Sequence, residues 1–206
     1  MNSKDYTRSR ILSFILHPLL IPTLAISALM LQPDLFILVL PTTLKLWFIS
    51  IIFVFTGVIP ACSVLILYKF KAIASIEMNQ RTERIIPLLI ASSSYMALLV
   101  FVKPANMPPV FLYILYSATF ALMTGLLINM AYKISLHTLG WGAITATIIS
   151  ISIRVGTPLL QLLFFSVVLS GLAGYARLTQ NAHDQAQVYW GYIAGVCIVI
   201  LISFLG

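Results

Sequence analysis

Apolar runs of about 20 residues, separated by short polar breaks, are the feature that most limits how this chain can fold. A run of that length crosses the hydrocarbon core of a bilayer as an α-helix. The 206 residues include only 12 basic and 5 acidic side chains, far below the charged share of about a quarter that is typical of soluble domains. The runs also lack the alternation of a barrel strand, so the chain must cross the membrane as helices.

The order of the runs predicts an all-α membrane protein, a bundle of six to seven transmembrane helices in one domain over residues 1–206. Residues 11–31 form the first helix, and Pro18 and Pro22 predict that it is kinked or partly interfacial. Residues 44–205 hold the core helices. The predicted bounds of these helices are 44–68, 85–102, 110–132, 141–153, 159–175 and 188–205.

Three polar segments separate the core helices, at residues 69–84, 133–140 and 176–187. Two predicted helices lie between each polar segment and the next. Because an even number of crossings returns the chain to its starting side, we expect all three segments on one side of the membrane. Lys103 and Arg154 fall on the opposite side, where they are predicted to anchor helix ends.

The net charge of +7 is not gathered into a compact basic face, so the sequence predicts no nucleic-acid partner. Lys and Arg at helix ends are instead typical of membrane topology. Cys62 and Cys197 lie inside apolar runs and are predicted to be packing residues, without further ligands at metal-binding spacing. His17, which precedes a proline, is predicted to be structural. We expect no metal and no cofactor, and membrane lipids as the partners; the oligomeric state is left open.

The three polar segments carry most of the titratable residues outside the termini. Arg81 and Arg84 lie three apart at a predicted helix start, so their side chains should share a face. Forked guanidinium groups suit phosphate oxygens, and a histidine can attack phosphorus or protonate a leaving oxygen. Two histidines at one phosphate are what a metal-free, two-step phosphoryl transfer needs. The candidate site residues are Arg81, Arg84, Lys133, Ser135, His137, Arg177, His183, Asp184 and Gln187.

The spacing of these residues resembles the three motifs of the integral-membrane branch of the type 2 phosphatidic acid phosphatase superfamily, written K-x6-R-P, P-S-G-H and S-R-x5-H-x3-D. Arg177 and His183 have the spacing of the third motif, and Ser135-Leu-His137 matches the end of the second. Arg84, shortly before a proline, stands for the arginine of the first motif.

The resemblance implies a role for each matching residue. His183 would be the nucleophile, and His137 would be the general acid and then the general base. Arg177, Arg84 and the Ser135 region would hold the phosphate.

Two departures from the motifs bear on this chemistry. Glu77 stands where the first motif has its lysine, so Arg81 or Lys133 would supply that charge. Gln187 stands where the third motif has its aspartate. Its amide oxygen can accept the imidazole N–H and fix the tautomer, but it offers no negative charge. We therefore expect a slower enzyme, or one in which Asp184 partners the nucleophile.

The resemblance covers approximately residues 69–200 and predicts a metal-independent lipid phosphate phosphatase. Its substrate would be a phosphomonoester or pyrophosphate of a membrane lipid of the phospholipid, isoprenyl or lipid A type. The alternative is a catalytically inactive relative or a transporter that binds anionic lipid headgroups. The expected location is the cell (inner) membrane, as a multi-pass protein. Basic residues counted over seven spans favour a cytoplasmic site, whereas bacterial relatives favour an outward-facing one, so the side is left open.

Overall fold

Helices make up most of the described chain, which in this computed structural model comprises residues 3–32, 40–78, 80–105 and 107–205. The α-helices are α1 (Ser3–Ile15), α2 (Ile21–Leu29), α3 (Thr42–Phe53), α4 (Ile59–Lys69), α5 (Ile85–Val102), α6 (Pro109–Ala131), α7 (Leu136–Val155), α8 (Leu160–Thr179) and α9 (Gln185–Leu205). A π-helical turn, Val54–Val58, joins α3 to α4 in one continuous helix. The prediction of an all-α membrane protein is confirmed.

Seven helical segments of the described chain are long and apolar enough to cross a bilayer. α1 and α2 together form the first, Asp5–Leu29, and α3 and α4 form the second, Thr42–Lys69. Helices α5 to α9 supply one span each. The number of such segments matches the higher of the two predicted numbers. If each segment crosses once, the start of α1 lies on the same side as the three polar segments.

The first span is kinked, as its prolines predict. α1 ends at Ile15, a short 3-10 turn follows at Pro18–Leu20, and α2 begins at Ile21. His17 caps the short turn, its Nδ1 accepting a hydrogen bond from the backbone N–H of Leu19 at 3.3 Å. This bond is the kind of contact expected of the structural role predicted for His17.

The first span packs against α8. The carbonyl oxygen of Ser9 accepts a hydrogen bond from Nε2 of Gln180 at 2.8 Å, and Oγ of Ser13 accepts one from NH1 of Arg177 at 3.0 Å. The contacts move forward along α1 and backward along α8, so the two helices are antiparallel. α1 therefore enters the membrane where α8 leaves it.

Three helices extend several residues further into the polar segments than the sequence predicts. α7 begins at Leu136, not at residue 141, because Ser135 caps its first turn. α8 continues to Thr179, beyond the predicted end at residue 175, and α9 begins at Gln185, not at residue 188. Hydropathy makes all three helices too short because a helix can continue through polar residues at the membrane surface. His137 and Arg177 consequently lie on helices and not in loops.

α7 is the most buried of the seven spans and packs against α6, α8 and α9. Its contact with α9 is close enough that a Cβ atom on Gly195 would overlap the carbonyl oxygen of Leu139. Near the starts of the two helices, the backbone N–H of Ser135 donates to the carbonyl oxygen of Gln187 at 3.1 Å. These contacts hold the second and third polar segments side by side.

Candidate functional site

Six of the predicted site residues come together where the polar segments meet: Arg84, Lys133, His137, Arg177, His183 and Gln187. His183 is buried just before α9, and the charges of Arg84, Arg177 and Lys133 all act on its imidazole. His137, on the first turn of α7, is also within electrostatic reach of Arg177 and His183. Both histidines therefore lie near one cluster of cations, formed by Arg84, Lys133 and Arg177. This agrees with the same-side placement expected from counting helices.

His183 is held in a defined orientation and charge state. Its Nδ1 donates to Oε1 of Gln187 at 2.8 Å, which leaves the lone pair on Nε2. Nε2 makes no hydrogen bond within the described residues. Burial lowers the pKa of His183 to about 3, and repulsion by Arg84 is the next cause; the bond to Gln187 opposes the shift. The imidazole is therefore neutral at pH 7, the form that can act as a nucleophile.

Arg84 lies in a short 3-10 turn, Thr82–Arg84, directly before α5, and only 5% of it is exposed. Its Nε donates to the carbonyl oxygen of Met78 at 2.8 Å, and NH1 donates to that of Ile134 at 3.4 Å. The guanidinium thus links the first polar segment to the second, and it carries five N–H donors in all. Donors remain for a further acceptor.

Arg177, near the end of α8, donates from NH1 to Oγ of Ser13 at 3.0 Å and to Oε1 of Gln180 at 3.4 Å. Its Nε is buried and has no hydrogen-bond partner in the described part of the chain. Arg177 is half-buried, and a guanidinium that bonds only neutral oxygens has lost part of its hydration without gaining a directly bonded counter-ion. Arg84 is in the same position.

The carboxylates near the cluster are engaged with backbone groups or exposed. Glu83 accepts hydrogen bonds from the backbone N–H groups of Ala74 and Gln80. Asp184 caps α9, its Oδ1 accepting from the backbone N–H of Gln187 at 2.8 Å. Glu77, whose charge acts on Arg177, is exposed. Among the residues that the structure describes, no direct ion pair therefore neutralises the cations of the cluster, and an external anion would supply the missing charge.

Lys133 completes the cluster from the segment between α6 and α7. It is half-buried, and burial is the first cause that lowers the pKa of its ammonium group. Repulsion by Arg84 and Arg177 lowers it further, while Asp184 acts in the opposite direction. A lysine that is repelled by two guanidinium groups gains most from a bound anion shared with them.

His137 is bonded to the first helix. Its Nε2 lies 3.1 Å from the carbonyl oxygen of Ser13 and 3.3 Å from Oγ of the same residue. Since a carbonyl oxygen can only accept, Nε2 carries the proton and Nδ1 has the lone pair. The ring of His17 packs edge-on against that of His137, with 5.1 Å between the centroids.

Ser13 and Gln180 belong to this site but were not among the residues predicted from the sequence. Neither lies in a motif of the phosphatase superfamily. A signal does exist, because Ser9 and Ser13 are four residues apart and place two hydroxyl groups on one face of a membrane helix. Both serines are buried.

Three predicted residues do not take the roles expected of them at the cluster, because they are exposed or are hydrogen-bonded elsewhere. Arg81 is exposed and donates from NH1 to the carbonyl oxygen of Met130 at the end of α6, so it does not share the buried position of Arg84. Oγ of Ser135 is committed to capping α7, accepting from the backbone N–H of Thr138 at 3.4 Å. Asp184 caps α9, and the partner of the nearby His183 ring is Gln187.

Within the described residues, no group of three or more His, Cys, Asp and Glu side chains could hold a metal ion. Comparison with known proteins yields no matching family model, no matching curated protein and no matching solved structure. The site is therefore interpreted from its own geometry.

Proposed function

We propose that this chain is a metal-independent lipid phosphate phosphatase, which cleaves a phosphomonoester or pyrophosphate of a membrane lipid through a phospho-histidine intermediate. The motif spacing that resembles the type 2 phosphatidic acid phosphatase superfamily supports the proposal. The substrate classes implied by that resemblance are phospholipid, isoprenyl and lipid A phosphates. The location proposed with them is the cell (inner) membrane.

The observation that carries the proposal is the state of His183. A neutral imidazole, with Nδ1 bonded to Gln187 and a lone pair on Nε2, lies among the charges of three cations. The cations attract a phosphate, and the low pKa, near 3, keeps the nucleophile unprotonated while they do so. A histidine that served only to bind an anion would be more useful protonated.

In the first step, Nε2 of His183 attacks the phosphorus, so that a P–N bond forms and the P–O bond to the lipid alcohol breaks. His137, which takes up a proton on Nδ1 when the negatively charged phosphate binds beside it, gives that proton to the leaving oxygen, and the lipid departs as a neutral alcohol. Arg84, Arg177 and Lys133 stabilise the negative charge on the three phosphoryl oxygens.

In the second step, neutral His137 takes a proton from a water molecule that attacks the phosphorus. The new P–O bond forms as the P–N bond breaks, which releases inorganic phosphate and restores neutral His183. His137 is protonated again and ready for the next substrate. The atoms and charges of the two steps balance without another reactant.

The position of the site suits a lipid substrate. His137, Arg177 and His183 lie at or next to the ends of transmembrane helices, on one side of the bundle. A phosphate headgroup can reach them while its acyl or isoprenyl tail stays in the bilayer.

The decisive measurement is phosphate release by purified protein in lipid nanodiscs that contain phosphatidic acid and a chelator. We expect turnover by the wild type, a loss of more than about a thousandfold in His183→Ala, and about a hundredfold in His137→Ala. Arg154→Ala is the control, because Arg154 is exposed on the opposite side and bonds the carbonyl oxygen of Ser203. Equal release by wild type and His183→Ala would overturn the assignment.

A second candidate function is headgroup binding without turnover, which the neutral Gln187 favours because no carboxylate raises the basicity of His183. In that case wild-type nanodiscs bind phosphatidic acid and release no phosphate. Binding would then depend on Arg84 and Arg177 but not on His183.

A further inference from the structure

We propose that Ser13, in the first transmembrane segment, is a positioning residue that sets the orientation of both Arg177 and His137. Its catalytic consequence rests on the proposed phosphatase function. None of the three motifs that the chain resembles reaches this part of the sequence, since they begin with the first polar segment. The inference comes from the contacts of one buried side chain.

Ser13 makes three polar contacts, which reach two residues of the site. Its Oγ lies 3.0 Å from NH1 of Arg177 and 3.3 Å from Nε2 of His137, and its carbonyl oxygen lies 3.1 Å from the same Nε2. The serine is 6% exposed, so water does not compete for these groups. A residue on α1 thus joins a cation on α8 to an imidazole on α7.

The orientation of Arg177 depends on this serine because few other groups hold the guanidinium. Gln180 is its other partner, at a longer 3.4 Å, and Nε has none in the described part of the chain. A long arginine side chain has many rotamers, and each fixed N–H reduces them. Without the hydroxyl of Ser13, the guanidinium of Arg177 could adopt rotamers in which its N–H groups no longer point at the phosphate.

The backbone carbonyl at the same position determines which nitrogen of His137 transfers the proton. The carbonyl oxygen of Ser13 accepts from Nε2 and therefore keeps a proton there. Nδ1 is left as the atom that donates to the leaving alcohol and then accepts from water. The proton transfer proposed for His137 is thus assigned to Nδ1, and Ser13 keeps the ring from turning.

The chain offers a matched control one helical turn away. Ser9 is buried like Ser13, but its hydroxyl donates to the carbonyl oxygen of Tyr6 in its own helix. Ser9→Ala therefore removes the same atoms from the same helix without touching Arg177 or His137. Ser13→Thr is the conservative variant, since it keeps the Oγ atom.

The first measurement is independent of turnover. Protein labelled with 15N-histidine gives imidazole signals from three residues, assigned with His17→Gln and His183→Gln. Ser13→Ala keeps the carbonyl bond to His137 but removes the Oγ atom that lies 3.3 Å from Nε2, so we expect it to move the Nε2 signal of His137. Ser13→Thr should keep the His137 signals near the wild-type positions, and Ser9→Ala should leave them in place. Thermal unfolding of each variant verifies that it is folded.

The second measurement is phosphate release from phosphatidic acid in nanodiscs. We expect Ser13→Ala to lower kcat by about tenfold to a hundredfold, with a smaller change in KM, because a hydrogen bond to a charged group is lost. Ser13→Thr should recover most of the rate. Ser9→Ala should have wild-type kcat.

The outcomes separate this inference from the proposed function. If the wild type releases no phosphate, the phosphatase proposal fails, and the inference is judged by the His137 signals and by phosphatidic acid binding in Ser13→Ala. Positioning is supported if both change relative to Ser9→Ala. It is overturned if either stays the same, if Ser13→Ala and Ser9→Ala have equal kcat, or if Ser13→Ala is faster than wild type. A faster variant would mean that the hydroxyl blocks the site.

Discussion

Nδ1 of His183 donates to Oε1 of Gln187 across 2.8 Å, at the position where the superfamily that the chain resembles has a carboxylate. The geometry of a histidine and its orienting partner is thus present, but the partner is neutral. Substitution of Gln187 can separate the effect of the partner's charge from the effect of its orientation, because glutamate differs from glutamine only in the amide group.

Gln187→Glu replaces the amide with a carboxylate of equal length. We expect turnover to rise by about tenfold, because a negative partner makes the imidazole more basic. Gln187→Leu, which removes the acceptor, should lower turnover by a similar factor. Rates are measured as phosphate release, and the contact has no role in catalysis if both variants match the wild type.

Acidification should destabilise the protein through His183. Its pKa is about 3 in the fold and about 6.5 in an unfolded chain. Between these values the unfolded state binds more protons, so stability is lost as the pH falls below 6.5. The melting temperature in detergent should drop from pH 7 to pH 5, and His183→Gln should reduce that drop. An equal drop in both proteins would contradict the prediction.

Arg84→Lys should weaken phosphatidic acid binding by about tenfold, although the charge is kept. A lysine cannot donate to Met78, Ile134 and a phosphate with the fixed geometry of a guanidinium. Arg154→Lys, on the opposite side, is the control and should bind as the wild type does. Binding is measured by titration of nanodiscs, and equal affinities in the two variants would argue against Arg84 as a phosphate ligand.

Gly195→Ala should destabilise the bundle by about 1–3 kcal/mol, because a Cβ atom there overlaps the carbonyl oxygen of Leu139 and forces α9 away from α7. Gly171 is the matched control, since nothing lies within 4 Å of a Cβ atom at that exposed helical position. Gly171→Ala should be neutral or slightly stabilising. Unfolding in detergent is the measurement, and equal effects at the two glycines would refute the close α7–α9 contact.

Single cysteines should report the predicted sidedness in a Cys62→Ser, Cys197→Ser background. Arg10→Cys and Lys71→Cys should react with an impermeant maleimide from one side of oriented vesicles, and Lys103→Cys from the other. All three positions are exposed. Labelling of Arg10→Cys and Lys71→Cys from opposite sides would mean that the first segment does not cross the membrane as described.

The bounds of the apolar helices were the part of the fold most accessible to sequence reasoning. α5 has the predicted bounds, 85–102, because a change from charged to apolar residues coincides with each end. α7 does not, because its first turn contains His137 and Thr138, whose polarity suggests a loop. The capping bond that starts this helix joins Ser135 to Thr138 and is invisible to hydropathy.

The amino-acid sequence was sufficient to predict a multi-pass helical membrane protein, with two histidines and several cations expected on one side. The free energy of inserting a helix depends on consecutive side chains, so it can be read from the sequence. Which polar groups meet became known from the three-dimensional structure. Ser13 contacts His137 across 124 residues and Arg177 across 164, while Arg81 turns away from its neighbour Arg84. Such pairings depend on how each helix is rotated and packed against the others. The residues of a single apolar run do not predict that rotation or packing.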